Sequence, residues 1–167
     1  GRPGHQADST APRQADERAL MPSMSRRSGS KLLLALWLSV AFAAAAQAAD
    51  YAGAISAFRR AHGLPAVKLD ARLNAAALQQ AQAMAASGSV SHSAGGSFSS
   101  RVAPLRKSRA AENIGAGFLT FAEMLKQWEN SAGHRANLLL PGMRRVGVAF
   151  VDNPRSPYRK FWAMLIT

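Results

Sequence analysis

The hydrophobic period of this chain changes once, and that change restricts the fold more than any other feature. Up to Leu140 the apolar residues recur at helical spacing, and from Val146 onward they alternate. Tyr51, Ile55, Phe58 and His62 stand at i, i+4, i+7 and i+11 with Gly63 beyond, which predicts a helix over 51–61. Asp70 is placed to cap a second helix with the stripe Leu73, Ala77, Ala81 and Met84, its wetter side formed by Gln79, Gln80 and Gln82, ending by Gly88. From Gly88 to Ser108 the chain is rich in Gly and Ser, broken by Phe98, Val102 and Leu105, and reads as a long loop with one helical turn. Thr120 and Glu123 form a capping box for a third helix carrying Phe121, Leu125 and Trp128. A short fourth helix over 134–140 is stopped by Pro141-Gly142. Val146, Val148 and Phe150 then alternate with Gly147, Ala149 and Val151, and after the turn residues Asp152 to Pro157 comes the apolar run Phe161 to Ile166. This is an antiparallel hairpin. Helices first and strands last predict an α+β layered fold and argue against a parallel βαβ sheet.

The chain has no Cys and is 48% hydrophobic, so its core depends on apolar burial alone. Disulfide scaffolds, thiol nucleophiles, iron–sulfur sites and Cys-ligated zinc are excluded. Leu32 to Ala46 is a 15-residue run with Ser39 its only polar member. It follows the basic segment Met24 to Lys31 and precedes Ala46-Gln47-Ala48, an A-x-A cleavage site, so 24–48 reads as a signal peptide and 1–23 as an upstream leader. As a retained anchor the run would fall short of a bilayer core of about 30 Å at a rise of about 1.5 Å per residue. Cleavage near Ala48 leaves a domain over 49–167 for the periplasmic or extracellular side. Ser25-Arg26-Arg27 with Lys31 partly matches a twin-arginine signal, but Gly29 and Ser30 occupy its apolar positions. Residues 49–167 hold 15 Lys and Arg against 6 Asp and Glu, a charge of +9 within the chain's +12. Arg101, Arg106, Lys107 and Arg109 crowd into nine residues, and Arg144, Arg145, Arg155, Arg159 and Lys160 add more. This basicity is either a solvated face or a contact for anionic envelope surfaces. A nucleic-acid partner is not expected, because no recognition motif or aromatic interleaving accompanies the charge.

The ionisable inventory of 49–167 is short. His62 at a helix end, Glu123 in the capping box and Glu129 beside Trp128 all have structural uses. His92, Glu112 and His134 remain, spaced 20 and 22 residues apart and therefore outside any local metal motif. On spacing alone each is more readily a solvated or structural residue than a ligand. No G-x-S-x-G elbow or phosphate-binding glycine loop is present.

Taken in order, Phe58-Arg59-Arg60, Gly63-Leu64, Leu69-Asp70, Ser91-His92, Phe98 to Arg101, Ala111-Glu112-Asn113-Ile114, Trp128 to Asn137 (WENSAGHRAN), Val146-Gly147-Val148 and Phe161-Trp162 resemble the CAP superfamily, also called the SCP or TAPS domain, in its Cys-free bacterial form. The resemblance runs from about Tyr51 to Thr167. It implies a three-layer α-β-α sandwich with an antiparallel sheet, and a surface cleft of two His and two Glu able to bind a divalent cation such as zinc. His92, Glu112 and His134 stand at three of those positions. The fourth, three residues past the helix tryptophan, falls on Ser131, and Glu129 lies about 100° around the helix from Trp128.

The resemblance therefore implies a ligand-binding cleft of His92, Glu112, His134 and Ser131, with His92, Glu112 and His134 as the metal set. Loss of the second Glu removes a candidate general base, which favours binding of a cation or a small amphiphilic or lipid ligand without turnover, in a monomer. Two further readings stay open. One is a metal-assisted, peptidase-like hydrolase of the cell envelope, and the other a basic adhesive domain binding anionic surfaces.

Overall fold

The computed structural model describes residues 47, 48, 50–106 and 109–167. The expected leader over 1–23, and the expected signal peptide over 24–48 apart from Gln47 and Ala48, lie outside the described residues.

Helical residues 50–61 (α1) lead to a short strand Lys68–Leu69 (β1) and a helix Ala71–Ser87 (α2). A helix Phe98–Val102 (α3) with a 3-10 turn Ala103–Leu105 precedes the strand Ala111–Ala116 (β2). Helices Phe121–Asn130 (α4) and Ala132–Leu138 (α5) follow, then the hairpin strands Arg145–Asp152 (β3) and Lys160–Ile166 (β4). The sheet order is β1-β3-β4-β2. β3 and β2 flank β4 antiparallel, with Val146 and Ala111 both opposite Ile166, and only the two-residue β1 runs parallel, against β3.

The alternation of β4 divides the core. Phe161, Ala163 and Leu165 pack with Leu73, Ala77, Ala81 and Met84 of α2. Trp162, Met164 and Ile166 pack on the other face with Ile55 of α1, Trp128 of α4 and Leu138 of α5. The result is the expected three-layer α-β-α sandwich, and each large apolar side chain buried in it is worth about 1.5–3 kcal/mol. The expected helix caps are in place. Asp70 accepts from the backbone N–H of Arg72 and Leu73, and Gly88 ends α2 in the left-handed region at φ 66°. Thr120 Oγ1 accepts from Glu123 N, while Glu123 Oε2 accepts from Thr120 N and Oγ1. Those bonds hold the Glu123 carboxyl below its ordinary pKa.

Two strands and one side chain differ from the sequence expectation. β1 is too short to show a period, and β2, with Glu112 and Asn113 buried inside it, has no apolar alternation to display. Gln80 is fully buried, not on the wet side of α2. Its amide donates to Ser91 O at 2.6 Å and accepts from Gly95 N at 3.0 Å, tying the following loop to the helix.

Helix α2 lies directly on β3. A Cβ at Gly147 would overlap the backbone of α2 at Leu73 C and Asn74 N, and Val148 N donates to Asn74 Oδ1 at 3.1 Å. Gly147→Ala should therefore lower stability by at least about 1–3 kcal/mol in urea unfolding, the usual cost of overpacking. Gly53 lies in α1, and a Cβ there would meet nothing within 4 Å. Gly53→Ala should accordingly raise stability by about 0.8–1 kcal/mol in the same measurement, the helix-propensity difference.

Candidate ligand cleft

The site is assembled at one end of the sheet from a loop, a strand and a helix. His92 lies in the loop pinned by Gln80, Glu112 is the second residue of β2, and His134 is in the first turn of α5. His92 Nδ1 meets Glu112 Oε1 at 2.8 Å, and Arg101 Nη2 donates to Glu112 Oε2 at 2.5 Å. The Glu112 and Arg101 side chains are each 2% exposed, against 58% for His92. Arg101 Nη1 also donates to His92 O and Gly96 O, at 3.0 and 2.5 Å. Arg101 is thus no part of the solvated basic face in which its sequence neighbours place it. It neutralises the buried carboxylate and holds the backbone that presents His92. No feature of the charge pattern distinguishes it from Arg106 or Arg109, since only tertiary burial does so.

Two asparagines bring His134 to the same place. Asn113 Nδ2 donates to His134 O at 3.0 Å, and Asn137 Nδ2 donates to Glu112 O at 3.1 Å and to Asn113 Oδ1 at 2.9 Å. These bonds latch α5 to β2 and satisfy the buried amide of Asn113, as a buried polar group requires. Trp128 Nε1 donates to Ile114 O at 3.1 Å and ties α4 to the same strand. The His134 Nδ1 is buried with no hydrogen-bond partner. Burial pushes its pKa below the ordinary histidine value, and the neighbouring His92 lowers it further.

The structure brings His92, Glu112 and His134 to one locus, and Ser131 stands three residues before His134 at the N-cap of the same helix. Ser131 joins α4 to α5 and lines a groove of about 520 Å³ with Phe118, Glu123 and Gln127. His62 is structural, donating from Nδ1 to Phe58 O and accepting from Arg135 Nη2 at Nε2, both at 2.8 Å. Glu129 pairs with Lys126 at 3.5 Å.

Among the described residues no three His, Asp or Glu side chains are grouped to hold a metal ion. Glu112 has one oxygen on Arg101 and the other on His92. A carboxylate only accepts, so it fixes a proton on His92 Nδ1 and leaves Nε2 as the lone-pair nitrogen of the neutral ring. With the unpartnered Nδ1 of His134, this donor set fits a cation bound by two imidazoles, with Glu112 behind His92 as the orienting carboxylate.

Breaking the buried pair isolates a charge. Arg101→Met should cost about 3–5 kcal/mol in urea unfolding, and Arg101→Met with Glu112→Leu should recover much of that loss. The lowered pKa of His134 means that the unfolded chain binds its proton more readily than the folded one. This contribution to stability is present above the unfolded value of about 6.5 and is lost as pH falls through the lower folded value. The unfolding midpoint of His134→Gln should accordingly fall less steeply between pH 7 and pH 5 than that of the wild type.

Comparison with known proteins agrees with this architecture. Residues 52–166 match CAP, the cysteine-rich secretory protein family. The chain is 46% identical over 44 residues to the uncharacterized protein YkwD of Bacillus subtilis, a match spanning 26% of this chain and 17% of that protein. An extracellular protein containing an SCP domain from Bacillus anthracis superposes with a TM-score of 0.61 at 25% identity, over 71% of this chain and 39% of the other. The chain thus spans well under half the length of either relative. An outer surface protein of Borrelia burgdorferi shares the fold at a TM-score of 0.60 and 17% identity, over 68% of this chain and 86% of its own. The family match covers most of the described sheet and helices, and although it has no cysteine the chain belongs to the CAP family.

Proposed function

We propose that this chain is an exported CAP-domain binding module whose His92–His134 cleft takes up a divalent cation or a small ligand without turnover. The observation that carries the reading is the commitment of both Glu112 oxygens, one to Arg101 and one to His92. A carboxylate held in that way orients an imidazole and is not free to accept a proton from water, which a hydrolase would need of it. Ser131, at the position of the second family Glu, supplies no carboxylate in its place. His92 Nε2 and a His134 kept neutral near pH 7 are donors of the kind zinc takes, and a bound cation would supply a Lewis-acid centre for a polar ligand group. Export is supported by the basic segment and apolar run that precede Ala48, and by similarity to an extracellular and an outer surface protein.

Isothermal titration of zinc chloride into the full chain at pH 7 tests the cation reading. One-to-one binding is expected, lost in the His92→Ala, His134→Ala double variant and weakened about 10–100-fold in Glu112→Gln, as for other orienting carboxylates. Equal binding in all three proteins, or none in the wild type, would overturn it.

A further inference from the structure

Part of the +9 charge of residues 49–167 gathers at a place that the His92–His134 cleft does not use. Arg109, in the approach to β2, and Arg144 and Arg145, at the start of β3, line a pocket of about 400 Å³ with Gly142, Met143 and Thr167. All three arginines are exposed, and none takes part in the four ion pairs formed among the described residues. The backbone beneath them is fixed. Arg144 N and Arg145 N donate to Thr167 O at 2.7 and 2.9 Å, and Thr167 N donates back to Arg145 O at 2.9 Å. Arg144 is further held by its Nη1 bond to Met143 O at 3.0 Å.

A fourth guanidinium stands behind this pocket. Arg59 is fully buried, and its Nη2 donates to Met143 O at 3.4 Å. Its pKa is lowered by burial and then by the charge of Arg144. Like charges around one concavity repel one another, and an anion placed among them relieves that repulsion. The Thr167 Oγ1, also buried at the pocket, has no hydrogen-bond partner in the protein. Guanidinium forks and a hydroxyl match the oxygens of a tetrahedral oxyanion, each fork able to give two parallel N–H···O bonds. We infer that Arg109, Arg144 and Arg145 form an anion site for a phosphate group, carried either by free phosphate or by a phospholipid headgroup. This site shares no residue with the His92–His134 cleft, so it stands whether or not that cleft binds a metal.

The test compares the full-length wild type with Arg109→Gln/Arg144→Gln/Arg145→Gln and with a control of the same charge change, Arg60→Gln/Arg106→Gln/Arg155→Gln, whose exposed arginines lie off the pocket. Inorganic phosphate is titrated at constant ionic strength, and sedimentation is measured with phosphatidylglycerol and phosphatidylcholine vesicles. In at least one arm the pocket variant should bind ten-fold or more weakly while the control keeps wild-type affinity. Loss in the phosphate arm identifies the free anion as a ligand, and loss confined to the phosphatidylglycerol arm identifies the headgroup. Arg109→Gln alone should weaken the same arm several-fold with an unchanged unfolding midpoint, which separates site loss from misfolding. Wild-type binding by the pocket variant in both arms, equal loss in pocket and control variants, or no binding by the wild type in either arm would overturn the inference.

Discussion

Strand β4 has no face toward water, and the rest of the molecule is arranged to keep it so. From Phe161 to Ile166 every residue is buried, odd positions under α2 and even positions under α1, α4 and α5. With no disulfide to close the chain, this strand joins two apolar layers into one cooperative unit. Gly147 allows the backbone of α2 to lie against neighbouring β3, and a side chain there would lift the helix from the sheet. Since β2 is held to β4 along its whole length, Glu112 is positioned by the same packing that holds the core.

Where apolar contact ends, two buried arginines continue the work. Arg59 donates to Pro65 O, Leu138 O, Leu140 O and Met143 O, joining the end of α1 to the last carbonyl of α5 and to the loops around it. Arg101 plays a matching role at the site itself, tying α3 to Glu112 and to the His92 backbone. Each delocalised guanidinium satisfies several acceptors from separate segments, which a lysine ammonium of one point charge could not do with the same geometry. Both are long, charged side chains and both are buried, so their usefulness comes from hydrogen bonding within the interior and not from surface charge.

Much of the fold could be read from local pattern. The caps at Asp70 and Thr120, the end of α2 at Gly88 and the β3–β4 hairpin follow from short-range rules that act identically in the folded chain. β2 could not be read in that way, because Glu112 and Asn113 are polar residues buried by partners that lie far away in sequence. For the same reason the site was legible only through family resemblance: spacings of 20 and 22 residues carry no local signal. Even the resemblance left Arg101 among the surface cations and Gln80 on the wet side of α2, since what separates them from Arg106 and Gln79 is tertiary contact.

The electrostatics of the cleft follow from a single buried pair. Glu112 is the one acidic residue buried among the described residues, and Arg101 cancels its charge at contact distance. On the proposed reading, a cation at the cleft would meet no net negative charge from this pair, and its affinity would come from direct donation by His92 and His134. That dependence favours a borderline-soft ion that accepts imidazole over a hard ion such as calcium, which requires a cage of oxygens. It also makes the positions of the two rings decisive. The hydrogen bonds of Gln80, Arg101 and Glu112 fix one ring, and those of Asn113 and Asn137 fix the helix that carries the other, before any ligand arrives.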